Sequence, residues 1–429
     1  MLLGCLNGPE GTGIAPLERL SSRGWNQLLE AAARHGLRPL LYGRLTSRTD
    51  LAAAAPENVL LALREYFLKN GLRNTLLYQD LGRLLEALRQ ESIPVIVLKG
   101  AHLASLVYSQ PALRQIGDID VLVRECDLAK TAARLCRMGY SPQGGADPPE
   151  TRADGQKAVL ASAGKHLPVN HLTPFVKPPH LQIEVHWTIA STHPVRVEDL
   201  WRRARPASIA GQETLVLSPE DLLLHLCLHA CQHQFEFGLR QLWDLRAVLE
   251  RHGSEIDWSE IQLRTGQWRA ARSVYVALRL ARDWANAPVP AACLAALEPP
   301  GWQPRWLALA RKLALSSAED VTPQTQDRSP MWALALAWAC PTLMGKLKAL
   351  WKVAFPSPRY MAGYMAHWHH SPLTGLRRLT CHASRAIDWL LWGLRWLWGL
   401  WAEPRSAALK RLRGSCRRLR LRAWLERSD

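Results

Sequence analysis

Asp118 and Asp120 sit in a stretch of sequence that has to be buried, and that conflict constrains the chain more than any other feature. The stretch is IPVIVLKGAHLASLVYSQPALRQIGDIDVLV, residues 93–123. Its two ends are crowded with β-branched residues and read as strands. A Lys99-Gly100 turn, a short helix over residues 101–108 and a loop carrying Pro111 and Arg114 join them. Side chains alternate along a strand, so Asp118 and Asp120 share one face while Ile119 and Val121 take the other. Two carboxylates on one face of a buried strand repel each other and lose hydration, which cations between them relieve. The expectation is a divalent-metal site. An Asp-x-Asp taken alone also suits a turn or a helix cap.

A third carboxylate is available downstream. In HLQIEVHWTI, residues 180–189, alternation places Ile183 and Val185 on one face and Gln182, Glu184 and His186 on the other. His186 and Trp187 also suit packing at the strand end. The rest of the pattern is mostly helical. Residues 16–92 show apolar positions recurring at three and four, and a further helix over 125–138 ends at Gly139. Ser218 and Pro219 open a Leu- and His-rich helix, and LRQLWDLRAVLERHG forms another that stops at Gly253. Residues 141–156 and 316–330 read as polar linkers. Prolines at 288, 290, 299 and 300 mark a subdomain edge.

Composition bounds the rest. At 429 residues and 48% apolar content, the chain is long enough for two or three domains with real cores. Its nine cysteines are scattered without zinc-ribbon or disulfide-framework spacing, which suits reduced thiols in a cytoplasmic protein. The first residues have no basic start and no sustained apolar run, so no secretory signal is expected. A net charge of +17 suits a phosphate-rich partner, and nine of the basic residues fall between positions 403 and 429. Just before them, Trp389, Trp392 and Trp396 lie three and four apart, with Trp398 and Trp401 beyond. The run is too short to span a bilayer. Residues 386–429 therefore suit peripheral contact with an anionic membrane, a nucleic-acid contact, or a helix docked on its own protein with a solvated tail.

The ordered series Leu98-Lys99-Gly100, Arg114, Asp118-Ile119-Asp120 and Glu184-Val185-His186-Trp187, followed by a helix rich in Leu and His, resembles the uncharacterised bacterial nucleotidyltransferases over roughly residues 20–290. Their fold is shared with DNA polymerase β and antibiotic adenylyltransferases. The resemblance implies an α+β protein with a small mixed β-sheet catalytic core at 93–200. A helical lead-in at 1–92 would precede it. A helical substrate-binding domain at 201–300, a helical extension at 301–385 and the Trp/Arg-rich segment at 386–429 would follow.

It also implies transfer of a nucleoside monophosphate from a nucleoside triphosphate to an unidentified hydroxyl-bearing acceptor, with release of pyrophosphate. Two magnesium ions would be held by Asp118 and Asp120, with Glu184 completing one site or accepting a proton. Gly100 would let backbone approach phosphate, and Lys99 or Arg114 would add positive charge there, although Arg114 equally suits a solvated loop or a partner for Asp118. The wider fold usually has Gly-Ser at the turn where this chain has Lys99-Gly100-Ala101, so a serine contact to phosphate is missing. Two other readings stand beside these. A non-catalytic accessory protein could keep the fold and bind nucleotide, nucleic acid or membrane. The helix with His225, Cys227, His229, Cys231 and His233 offers metal-ligand types at helical spacing, but its interleaved leucines suit a core helix lining the cleft.

Overall fold

The computed structural model describes residues 2–7, 17–143, 170–178, 181–235 and 238–315, with scattered positions from 344 to 425. The expected linker at 316–330, most of the one at 141–156, and nearly all of the Trp/Arg-rich segment lie outside the described residues. The described residues fall into two compact units, divided after Trp302.

In the first unit, the periodicity of the N-terminal region gives helices Ser22–Arg34, Arg38–Thr46, Thr49–Ala54 and Glu57–Gln90. Gly36, at φ +66°, turns the chain after the first, and Pro56 stands immediately before the last. The 34-residue helix Glu57–Gln90 is about 50 Å long. Polar side chains on its inner face hold the segment that carries the candidate site. Asn70 Nδ2 donates to the Ala112 carbonyl at 2.7 Å, and Asn74 Nδ2 donates to the carbonyls of Pro111 and Arg114, both at 2.8 Å. Tyr78 donates its hydroxyl to the Ala101 carbonyl at 2.8 Å.

The sheet has seven strands among the described residues: β1 (Ile96–Val97), β2 (Ile119–Leu122), β3 (Ser141–Pro142), β4 (Phe175–Lys177), β5 (Leu181–His186), β6 (Arg205–Ile209) and β7 (Gln212–Val216). Their order is β3-β4-β5-β2-β1-β7-β6. Pairing is mixed: β2 runs antiparallel to β1 and parallel to β5, and β1 runs parallel to β7. The protein is thus α+β, as the family resemblance implies. Ile119, Val121, Ile183 and Val185 are fully buried on the core face.

Three local features differ from the sequence reading. Strand β1 is shorter than the apolar run 93–98, because Pro94 has no N–H to give a ladder. Pairing is extended only by Leu98 N–H to the Asp120 carbonyl and Leu215 N–H to the Val95 carbonyl. The helix after β1 starts at Lys99 rather than at 101, runs to His102, and continues as one wide turn over Leu103–Val107. Residues 205–216, placed in a helical region by sequence, form a hairpin that adds two strands to the sheet. Its turn, Ala210-Gly211, has positive φ at both positions, the geometry a two-residue hairpin needs.

Helices Pro219–Gln232, Arg240–His252 and Ala271–Ala285 pack against one another behind the site. The first is capped as expected, with Ser218 Oγ accepting from the Asp221 N–H at 3.3 Å. In the second unit, helix Pro304–Ala314 buries Leu307, Ala310, Leu313 and Ala314, and Trp306 stacks on Trp424. Among the described residues no helix is long and apolar enough to cross a membrane.

Asn74 is the tie between the long helix and the loop ahead of β2. Asn74→Ala leaves the buried Arg114 carbonyl and the part-buried Pro111 carbonyl without their donor and should cost about 1–3 kcal/mol, read as a lower urea midpoint at unchanged m.

Candidate active site

Parallel pairing of β2 with β5 sets Asp120 directly beside Glu184 in register. Asp118 precedes Asp120 by two residues, just ahead of the strand. All three carboxylates line one cavity of about 220 Å³, together with Lys99, Arg114 and His186.

Asp120 is the most buried of the three, with a side chain 2% exposed. Its Oδ1 accepts from Lys99 Nζ at 2.7 Å and lies 2.9 Å from His186 Nε2. Burial alone would push its carboxyl up, but Lys99 and His186 outweigh burial and hold it well below the usual carboxylate range. Lys99 is the converse case: burial works against its charge, and Asp120 and Glu184 more than restore it. Glu184, 17% exposed, accepts from Gln182 Nε2 at 3.2 Å and lies 3.6 Å from His186 Nε2. Burial raises its pKa, yet His186, Lys99 and His171 together outweigh burial and the charge of Asp120, and the net shift is downward.

Asp118 behaves differently. Burial, then the charges of Asp120 and Glu184, push it up to about 7, against partial relief from Lys99 and Arg114. The pocket therefore holds more carboxylate than its own lysine neutralises, and that surplus fits divalent cations. Among the described residues, Asp120, Glu184 and His186 have ligand atoms all within 4.8 Å of one another, a group that does not include Asp118. His186 reaches Asp120 through Nε2 while its buried Nδ1 has no partner. That arrangement suits a ring donating Nε2–H to orient a carboxylate, since a ring bound to metal through Nε2 would leave a buried N–H at Nδ1 unmatched.

Arg114 and Gly100 have roles that spacing did not reveal. Arg114 grips Asp244 with two parallel bonds of 2.9 Å, Nε to Oδ1 and Nη2 to Oδ2, and Tyr108 donates to the same carboxylate at 2.9 Å. Burial weakens the guanidinium's hold on its proton, but Asp244 outweighs burial and the net shift is upward. At Gly100 a Cβ would stand 2.8 Å from Arg114 Nη1, so the missing side chain makes room for this guanidinium. Asp244 and its neighbours Arg240 and Gln241 line the same cavity and were absent from the sequence reading. A signal was there: Asp244 interrupts an apolar face made by Leu242, Leu245, Val248 and Leu249.

Of the His/Cys helix, His229 and His233 reach the cavity and Cys231 Sγ donates to the Ser273 carbonyl at 3.3 Å on the helix-packing side. Burial pushes His233 down to about 4 and His229 well below the ordinary imidazole value, so this wall is uncharged at neutral pH.

A mixed sheet presenting carboxylates from neighbouring strands, backed by a helical bundle, fits a transferase of the nucleotidyl class. The chain belongs to the uncharacterised nucleotidyltransferase family, whose profile matches residues 21–286. No curated protein and no solved structure matches it.

Two outcomes test this geometry. Asp244→Ala strands a buried guanidinium and should cost about 3–5 kcal/mol in denaturant unfolding. Asp118 binds its proton more tightly folded than unfolded, so its contribution to stability is complete below about pH 4 and is lost as pH rises through about 7. With chelator present, stability measured across that window should fall more steeply for wild type than for Asp118→Asn.

Proposed function

We propose that the protein is a magnesium-dependent nucleotidyltransferase that moves a nucleoside monophosphate from a nucleoside triphosphate to a hydroxyl-bearing acceptor. The observation that carries this reading is the register of Asp120 against Glu184, with Asp118 lining the same cavity. The donor set is oxygen-rich, as magnesium requires, and Asp118, Asp120 and Glu184 would hold two ions. Bound there, the ions would neutralise the triphosphate and the charge developing on the attacking and leaving oxygens.

In the reaction, the acceptor oxygen forms a bond to the α-phosphorus. The bond from that phosphorus to the α–β bridging oxygen breaks, and its electron pair leaves with pyrophosphate. The hydroxyl proton passes to Glu184, whose side chain is the more exposed of the two, 17% against 2% for Asp120. Lys99 and His186 keep Asp120 ionised and oriented throughout. Arg114, committed to Asp244, fixes the loop ahead of Asp118 rather than meeting phosphate directly. The reading places the enzyme in the cytoplasm, where nucleoside triphosphates are supplied.

Pyrophosphate release from labelled nucleoside triphosphates with magnesium is the measurement. Asp120→Asn and Glu184→Gln should lose more activity than the roughly 10–100-fold expected for His186→Gln, which removes only an orienting partner. Nucleotide binding without release in wild type would instead assign a binding role.

A further inference from the structure

Three cations line the cavity: Lys99, Arg114 and Arg240. The first two are matched by carboxylates, Lys99 by Asp120 and Arg114 by Asp244. Arg240 is not. Its Nη1 donates to the Gln115 carbonyl at 3.2 Å and its Nε is buried without a partner; among the described residues no carboxylate is ion-paired with it. Burial lowers its pKa, and the neighbouring Arg114 lowers it further. A guanidinium without an ion pair of its own, on a half-buried side chain whose Nε is sealed from solvent, is costly, and the fold nevertheless holds it there. Gly36, at φ +66°, lies where a Cβ would come within 3.4 Å of both Cδ and Nη1, so the side chain runs across a backbone turn that leaves it space.

The position fits one kind of ligand. Arg240 feels the charge of Asp244, already held by Arg114 and Tyr108, and more weakly that of Asp118, and it lines the same cavity as Arg114. A guanidinium presents a planar fork of donors that matches phosphate oxygens. A triphosphate carries more negative charge than the ions at the carboxylates neutralise, and Lys99 and Arg114 are already spent.

Resting on the nucleotidyltransferase reading above, we propose that Arg240 binds the β- and γ-phosphates of the nucleoside triphosphate and holds the pyrophosphate as it leaves. It is then the protein's own charge partner for the leaving group, and it bears on affinity for the polyphosphate rather than for the nucleoside.

Calorimetric titration of the full chain, in magnesium, with nucleoside triphosphates, the matching monophosphates and inorganic pyrophosphate tests this. Arg240→Gln should weaken triphosphate and pyrophosphate binding by about tenfold or more, the loss expected for a charge-assisted contact, with monophosphate binding held within about twofold. Arg240→Lys keeps the charge but loses the fork, and should fall between wild type and Arg240→Gln. It carries the same comparison if the glutamine variant fails to fold by circular dichroism. Unchanged triphosphate affinity, or equal weakening of triphosphate and monophosphate, overturns the assignment of Arg240 and leaves the enzymatic reading standing. A wild-type protein that binds no triphosphate overturns both.

Discussion

One oxygen atom, Oδ1 of Asp120, carries the electrostatic balance on which the site depends. It meets an ammonium at 2.7 Å and an imidazole nitrogen at 2.9 Å in a place almost without solvent. A buried carboxylate survives as an anion only with such partners, and a buried lysine survives as a cation only with such a carboxylate. Each therefore fixes the charge of the other, and both are pinned to the ends of β1 and β2 by the sheet. What remains without a lysine or arginine ion pair among the described residues are the carboxyl groups of Asp118 and Glu184, an arrangement of oxygen donors that fits a cation.

A second buried pair does mechanical work for the first. Arg114 and Asp244 come from a loop and from a distant helix, and their two parallel bonds close the cavity at one side. The loop is held from the other side by Asn70 and Asn74 of the long helix. Asp118 thus lies on a short segment clamped between two helical layers, which is how a residue just outside a strand keeps a defined position beside one inside it. Gly100 belongs to the same clamp, since any larger residue would collide with the guanidinium.

Much of the strand pattern that carries the candidate site was legible in sequence because alternation has a period of two and needs no tertiary knowledge. Asp118, Asp120, Glu184 and His186 could be sorted by face from their parity alone, and the cap at Ser218 followed from local chemistry. The roles of Lys99, Gly100 and Arg114 were not legible at the same level. The resemblance offered Gly100, with Lys99 or Arg114, for phosphate, and left Arg114 equally a solvated loop residue or a partner of Asp118; the pairing of Lys99 with Asp120 and of Arg114 with Asp244, and the space left at Gly100, could not be read from spacing. Asp244 and Arg240 went unnoticed, because on an isolated helix a charged residue in an apolar face has no stated partner until another element is brought against it. The hairpin at 205–216 was also missed, its strands being short and only half-buried.

The sequence by itself determined the strand faces and the acidic residue types, since these follow from periodicity and side-chain chemistry within a few residues. Tertiary structure alone decided which cation meets which carboxylate and which is left over. Those pairings join positions 21 and 130 residues apart, and the free energy of a buried charge depends on what surrounds it in space, a quantity no local stretch of sequence contains.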